Sequence, residues 1–122
     1  MNSNGLYAFY GTLRQGMEYH SIYGKRISFI QSVLLKGYRL FSVGDYPYAV
    51  RAPTGSIVAD LCHVDRRTAA TIHSMEIEAG YFYDEIIIES QAFGIYLFSR
   101  ADPGDPEVQS GDWVQYVAEI GF

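Results

Sequence analysis

Leu6-Tyr7-Ala8-Phe9-Tyr10 runs directly into Gly11-Thr12-Leu13-Arg14-Gln15-Gly16. The first stretch is apolar and aromatic throughout and reads as a buried strand; the second is bounded by glycines and reads as the loop that leaves it. Backbone amides at such a strand-to-glycine junction suit an anion such as a carboxylate or phosphate. A tight turn without a ligand is the other reading of the same residues. The loop is not a P-loop: Gly11 and Gly16 have that motif's glycine spacing, but Met17-Glu18 stands where Lys-Ser/Thr is required.

Working outward, Met17 to Gly24 reads as a short helical or turn segment, and 27–43 is long for one strand and holds Gly37, so a bend or bulge is expected there. Gly44-Asp45-Tyr46-Pro47 and Ala52-Pro53-Thr54-Gly55 read as turns. Further strands are predicted at 56–64, 82–90, 93–99 and 113–117. The 122 residues fit one domain, 1–122, without internal repeat or linker. Residues are 48% apolar, 19% charged and 16% aromatic, which excludes wholesale disorder and favours pleated, half-buried surfaces.

Charge and cysteine usage narrow the function classes. Nine Lys plus Arg against fourteen Asp plus Glu leave a net charge of −5, so phosphate-backbone binding and a nucleic-acid partner are not expected. The single cysteine, Cys62, makes no internal disulfide, and His20, His63 and His73 show no zinc-ligand spacing. A metal-free, cofactor-free, cytoplasmic protein is expected. No basic stretch with an apolar core opens the chain and no apolar run reaches the ~18 residues of a span, so no membrane partner is expected. Cys62 and His63 are adjacent on a predicted strand and point to opposite faces, which disfavours a Cys-His nucleophile; Cys62 reads as a core residue.

The one clear helix starts at Asp65, a natural N-cap, and ends at Gly80, which can take the left-handed conformation. At 100° per residue from Ala69, Ile72 falls at roughly 300° and Glu76 at roughly 340°, inside the apolar stripe, while Glu78 falls at roughly 180° among polar neighbours. A carboxylate on a buried face is costly unless paired or protonated, and its pKa rises toward the range useful to a general acid or base. Glu76 is therefore the candidate; a Glu that snorkels outward near the helix end is the alternative. His73 lies at the border of the stripe, either orienting a neighbour or closing the core edge. Tyr38, Tyr46 and Tyr48 offer hydroxyl donors to a pocket or pack as core.

These signals occur in a recognisable order: the stretch Tyr7 to Gly16 with His20 after it, then Gly37-Tyr38-Arg39-Leu40 and Tyr46-Pro47. Val58 to Asp65, the helix carrying Glu76, and Ser110-Gly111-Asp112-Trp113 complete the series. The set resembles the gamma-glutamylcyclotransferase-like superfamily, in its small bacterial branch that also resembles plant avirulence-induced proteins. The resemblance covers nearly the whole chain. It implies an α+β fold, a small mixed β-barrel flanked by one main helix and short helical segments, with a pocket floored by the loop. It also implies release of 5-oxoproline from a γ-glutamyl amine or peptide, with Glu76 as acid/base and the amides of Gly11, Thr12 and Leu13 on the α-carboxylate. Tyr10, Tyr46 and Tyr83 join the candidate substrate-binding residues.

The family helix commonly reads Leu-Asp-x-x-Glu where Ile72-His73-Ser74-Met75-Glu76 stands, and a basic residue is common where Asp84-Glu85 stand. One of these two acids is expected to face the barrel mouth and to favour a neutral or cationic leaving amine. Three functions follow: a cyclotransferase, which needs an ionisable Glu76; a non-catalytic barrel for a small acidic metabolite, which needs only the loop amides; and a structural or partner-binding barrel, which needs neither. Oligomeric state is not encoded in any of these signals.

Overall fold

The computed structural model describes residues 4–121. Along the chain come β1 (Leu6–Phe9), α1 (Glu18–Tyr23), a 3-10 turn (Gly24–Arg26), β2 (Ile27–Val43), β3 (Tyr46–Val64), α2 (Arg66–Glu78), β4 (Phe82–Ile88), β5 (Gln91–Leu97) and α3 (Trp113–Ile120). The strands form one mixed sheet in the order β2-β3-β1-β5-β4, with β1 antiparallel to β3 and parallel to β5. This is the α+β fold expected, with one difference: β2 and β4 are open edges, so the sheet does not close into a barrel.

β1 lies mid-sheet, and each of its residues is buried. Strand alternation sends Leu6 and Ala8 into one core with Leu40, Ile95 and Trp113, and Tyr7 and Phe9 into a second core with Ala69 and Ile72 of α2. A strand covered on both faces must be apolar without interruption, which is the physical reason for the run at residues 6–9. The loop after it consequently emerges between the two cores, beside α2.

β2 and β3 form a long hairpin closed by Gly44-Asp45, with Val43 opposite Tyr46. Gly44 has φ 64°, as the first position of a two-residue II′ turn requires, so Tyr46 and Pro47 belong to the strand and not to the turn. Pairing shifts between Lys36 and Tyr38, where Gly37 faces the segment 52–55. The bend expected at Gly37 is present. The turn expected at 52–55 is instead a bulge within β3, which runs unbroken to Val64 because its partner pairing resumes at Ser56 opposite Lys36. The other hairpin turns at Glu89-Ser90, with φ of 50° and 66°, so β4 and β5 divide at a position that carries no glycine to announce it.

The strand expected at 113–117 is a helix. Asp112 caps α3 by accepting from the Gln115 amide at 3.2 Å, and Gly121 ends it in the left-handed conformation. Aromatic and β-branched residues suggested a strand, but Trp113, Tyr116 and Val117 recur at helical spacing and meet the first core together. No helix among the described residues is long and apolar enough to cross a membrane.

Candidate active site

Beyond Phe9 the backbone turns through Tyr10 to Gly16, and each carbonyl from Gly11 to Arg14 is taken. Gly11 O accepts from Arg14 N at 3.0 Å, Thr12 O from Tyr19 N at 3.1 Å, Leu13 O from His20 Nδ1 at 3.0 Å and Arg14 O from Met17 N at 2.9 Å. The amides of Gly11, Thr12 and Leu13 have no acceptor among the described residues. Carbonyls turned inward and amides left over make the loop a donor surface. Gly11 also has to be glycine for space, since a Cβ there would lie 2.7 Å from the Pro47 ring.

Across from the loop lies the end of α2. Gly80 at φ +102° closes a Schellman motif, in which Tyr81 N donates to Glu76 O at 3.0 Å and Gly80 N to Ile77 O at 3.1 Å. One local device therefore sets both Glu76 and Tyr81 at the same pocket. The start of α2 is fastened by Asp65, which accepts from Thr68 N at 2.9 Å. His73, one turn before Glu76, hydrogen-bonds the Tyr96 hydroxyl at 2.9 Å and so fixes that ring as a pocket wall.

The inner pocket is lined by Phe9, the Tyr10–Leu13 loop, Pro47, Glu76, Tyr81 and Tyr96, and encloses about 40 Å³. It shares Thr12, Glu76 and Tyr81 with a groove of about 350 Å³ that adds Glu18, Tyr19, Asp45, Tyr46, Met75 and Ala79. The Glu76 carboxylate has no hydrogen-bond or ion-pair partner among the described residues, and burial pushes it up to about 7. Burial raises Tyr81 and Tyr96 above the ordinary phenol range, with the charge of Glu76 adding to both, so these rings stand as neutral phenols around it. Tyr10 is raised by the same cause; its hydroxyl donates to Tyr96 O at 2.5 Å and accepts from Ala49 N at 3.1 Å. Tyr10 thus offers the pocket its ring and not its hydroxyl.

Glu76, Tyr10, Gly11, Thr12 and Leu13 therefore meet at one pocket, and Tyr46 lines the adjoining groove. Tyr83 does not join them: it lies on β4, behind Tyr96, and its hydroxyl donates to Glu85 at 2.7 Å. Nor do Asp84 and Glu85 face the mouth. Asp84 is bound by the Arg51 guanidinium and Glu85 accepts from the Tyr83 hydroxyl, and neither lines the pocket or the groove. Besides Glu76, the groove's acids are Glu18 and Asp45. Tyr81 and Tyr96 escaped the sequence reading. Tyr81 carried a usable signal, its place directly after the helix-ending glycine; Tyr96 carried none, being one aromatic in a strand. Glu78 is exposed, as its helical position required, and Cys62 is fully buried with its thiol pushed up to about 12.

An open five-stranded sheet with a carboxylate facing free amides at the end of its central strand defines the class of protein. The chain belongs to the gamma-glutamyl cyclotransferase, AIG2-like family, whose profile matches residues 7–115. An uncharacterized protein from Pyrococcus horikoshii is 28% identical with a TM-score of 0.80, over 95% of each chain. YtfP from Escherichia coli, at 24% identity and TM-score 0.72, covers 91% of this chain and 97% of its own. An AIG2-like protein from Mus musculus, at 13% identity, shares the fold with a TM-score of 0.71 over 86% of each chain. No curated protein matches significantly.

Proposed function

We propose that the protein releases 5-oxoproline from a γ-glutamyl amine or peptide, with Glu76 as the general acid/base. The observation that carries this reading is the unpartnered Glu76 carboxylate, held at about 7, across a pocket from three unclaimed amides. The amides of Gly11, Thr12 and Leu13 hold the substrate's α-carboxylate. Glu76 takes a proton from the α-ammonium, and the freed nitrogen attacks the γ-carbonyl carbon of the same residue. The bond from that carbon to the leaving amine breaks and protonated Glu76 returns its proton to the amine; the second proton, shed by the attacking nitrogen as it becomes the lactam N–H, goes to the departing amine, which leaves as its ammonium. A group that titrates near neutrality performs both transfers.

The inner pocket opens into the groove at Thr12, Glu76 and Tyr81, so a γ-glutamyl group seated at Glu76 sends its leaving amine toward Glu18 and Asp45. Two carboxylates there favour a neutral or cationic amine over an anionic one. Incubating the protein with γ-glutamyl compounds and measuring 5-oxoproline tests the reaction. Turnover of γ-glutamyl-lysine about fivefold ahead of glutathione, with the gap narrowing in salt, is the expected result. Tight binding of 5-oxoproline or glutamate with no release from any substrate would replace the enzyme with a metabolite-binding protein.

A further inference from the structure

Arg14 and Asp60 are the charged side chains buried in this fold among the described residues, at 7% and 2% exposure. They meet beneath the loop. Arg14 Nε donates to Asp60 Oδ1 at 3.3 Å, and Arg14 Nη1 to Asp112 Oδ1 at 2.8 Å. Asp60 Oδ2 accepts from the Gln15 amide at 2.8 Å, and Ser32 Oγ donates to Oδ1 at 2.7 Å. Asp60 thus binds the loop through a side chain and a backbone amide at once, while Ser32 on β2 holds it from behind. Asp112 also caps α3 at Gln115, so the network ties the loop to the C-terminal helix.

Nothing in the ion network touches the pocket, since Arg14 and Asp60 are absent from its walls. Its attachment points are the residues that follow Leu13, where a loop anchored only to β1 would swing. We infer that Arg14 and Asp60 are positioning residues that hold the Gly11–Leu13 amides aimed at Glu76. The buried ion pair converts a glycine-bounded loop into a rigid donor surface, so that binding an anion does not require the loop to order first. This inference rests on the reading of those amides as the carboxylate site.

The test separates aim from stability. Asp60→Asn places an amide nitrogen against either the Gln15 amide or the Arg14 guanidinium, and should raise KM for a γ-glutamyl substrate about tenfold while leaving the pH midpoint of kcat, set by Glu76, unmoved. Hydrogen exchange at Arg14, Met17 and Tyr19, whose amides close the loop's own turns, should accelerate more than at β1 or β3. Arg14→Met/Asp60→Asn removes both charges and should regain melting temperature without regaining KM or loop protection. Asp112→Asn keeps a cap for Gln115, so it folds, and should raise KM about threefold. Recovery of KM together with melting temperature in the double variant, or acceleration spread evenly over the sheet, would overturn the inference. A wild-type protein that turns over no γ-glutamyl compound defeats the proposed function instead, and loop exchange still decides the role of Arg14 and Asp60.

Discussion

Glu76 and Asp60 are two carboxylates near one loop, the first half-buried and the second fully buried, and their surroundings are opposite. Asp60 accepts from an arginine, a serine and a backbone amide. Glu76 is surrounded by Phe9, Tyr81 and Tyr96 and has no partner among the described residues. Burial penalises the charged form of each, but only at Asp60 does the protein offset that penalty with donors. Asp60 is held by its donors as a structural group, whereas Glu76, without them, is pushed up by burial to about 7 and can exchange a proton near neutral pH.

The comparison breaks most visibly if Glu76 loses its titratable group. Glu76→Gln should lower turnover by about 10² to 10⁴ while the protein still folds, measured as 5-oxoproline release beside a melting curve. Asp60→Ala, by contrast, leaves Arg14 with Asp112 alone and the Gln15 amide and Ser32 hydroxyl without their acceptor, and should lower stability by about 3–5 kcal/mol in denaturant titration.

A third measurement concerns pH. The folded value of Glu76, about 7, lies above its ordinary 4.5, so between these limits the native state holds a proton that the unfolded chain has released. Stability from this group is therefore complete below pH 4.5 and is lost as pH rises to about 7, a change on the order of 3 kcal/mol. Glu76→Gln should consequently be more stable than the wild type at pH 8, with the gap closing at pH 5; an equal gap at both would mean that Glu76 is not the titrating group. The smallest effect belongs to the exposed Glu78. Glu78→Gln should alter stability by less than about 0.5 kcal/mol and leave turnover intact, and lost turnover there would reverse the assignment of the two glutamates.

Legible from residue order alone were the buried strand into Gly11, the α2 caps at Asp65 and Gly80, the bulge at Gly37 and the placing of Glu76 inward with Glu78 outward. These are consequences of local geometry: strand and helix periods, glycine at positive φ, and a capping side chain act within a few residues. The misread C-terminal strand was a local error as well, since the Asp112 cap and helical spacing stood in the sequence and β-propensity outweighed them. Decided only in three dimensions were the open edges of the sheet, the packing of Tyr83 behind Tyr96, the pairing of Asp84 with Arg51, and the burial of Arg14 against Asp60, some forty-six residues away. Hydrogen bonding between distant strands settles which face and which edge a residue occupies, and no periodicity along the chain carries that information. The same holds for Glu76: its face follows from the helix, but its lack of a partner among the described residues depends on what Tyr81, Tyr96 and the loop bring to it when the chain closes.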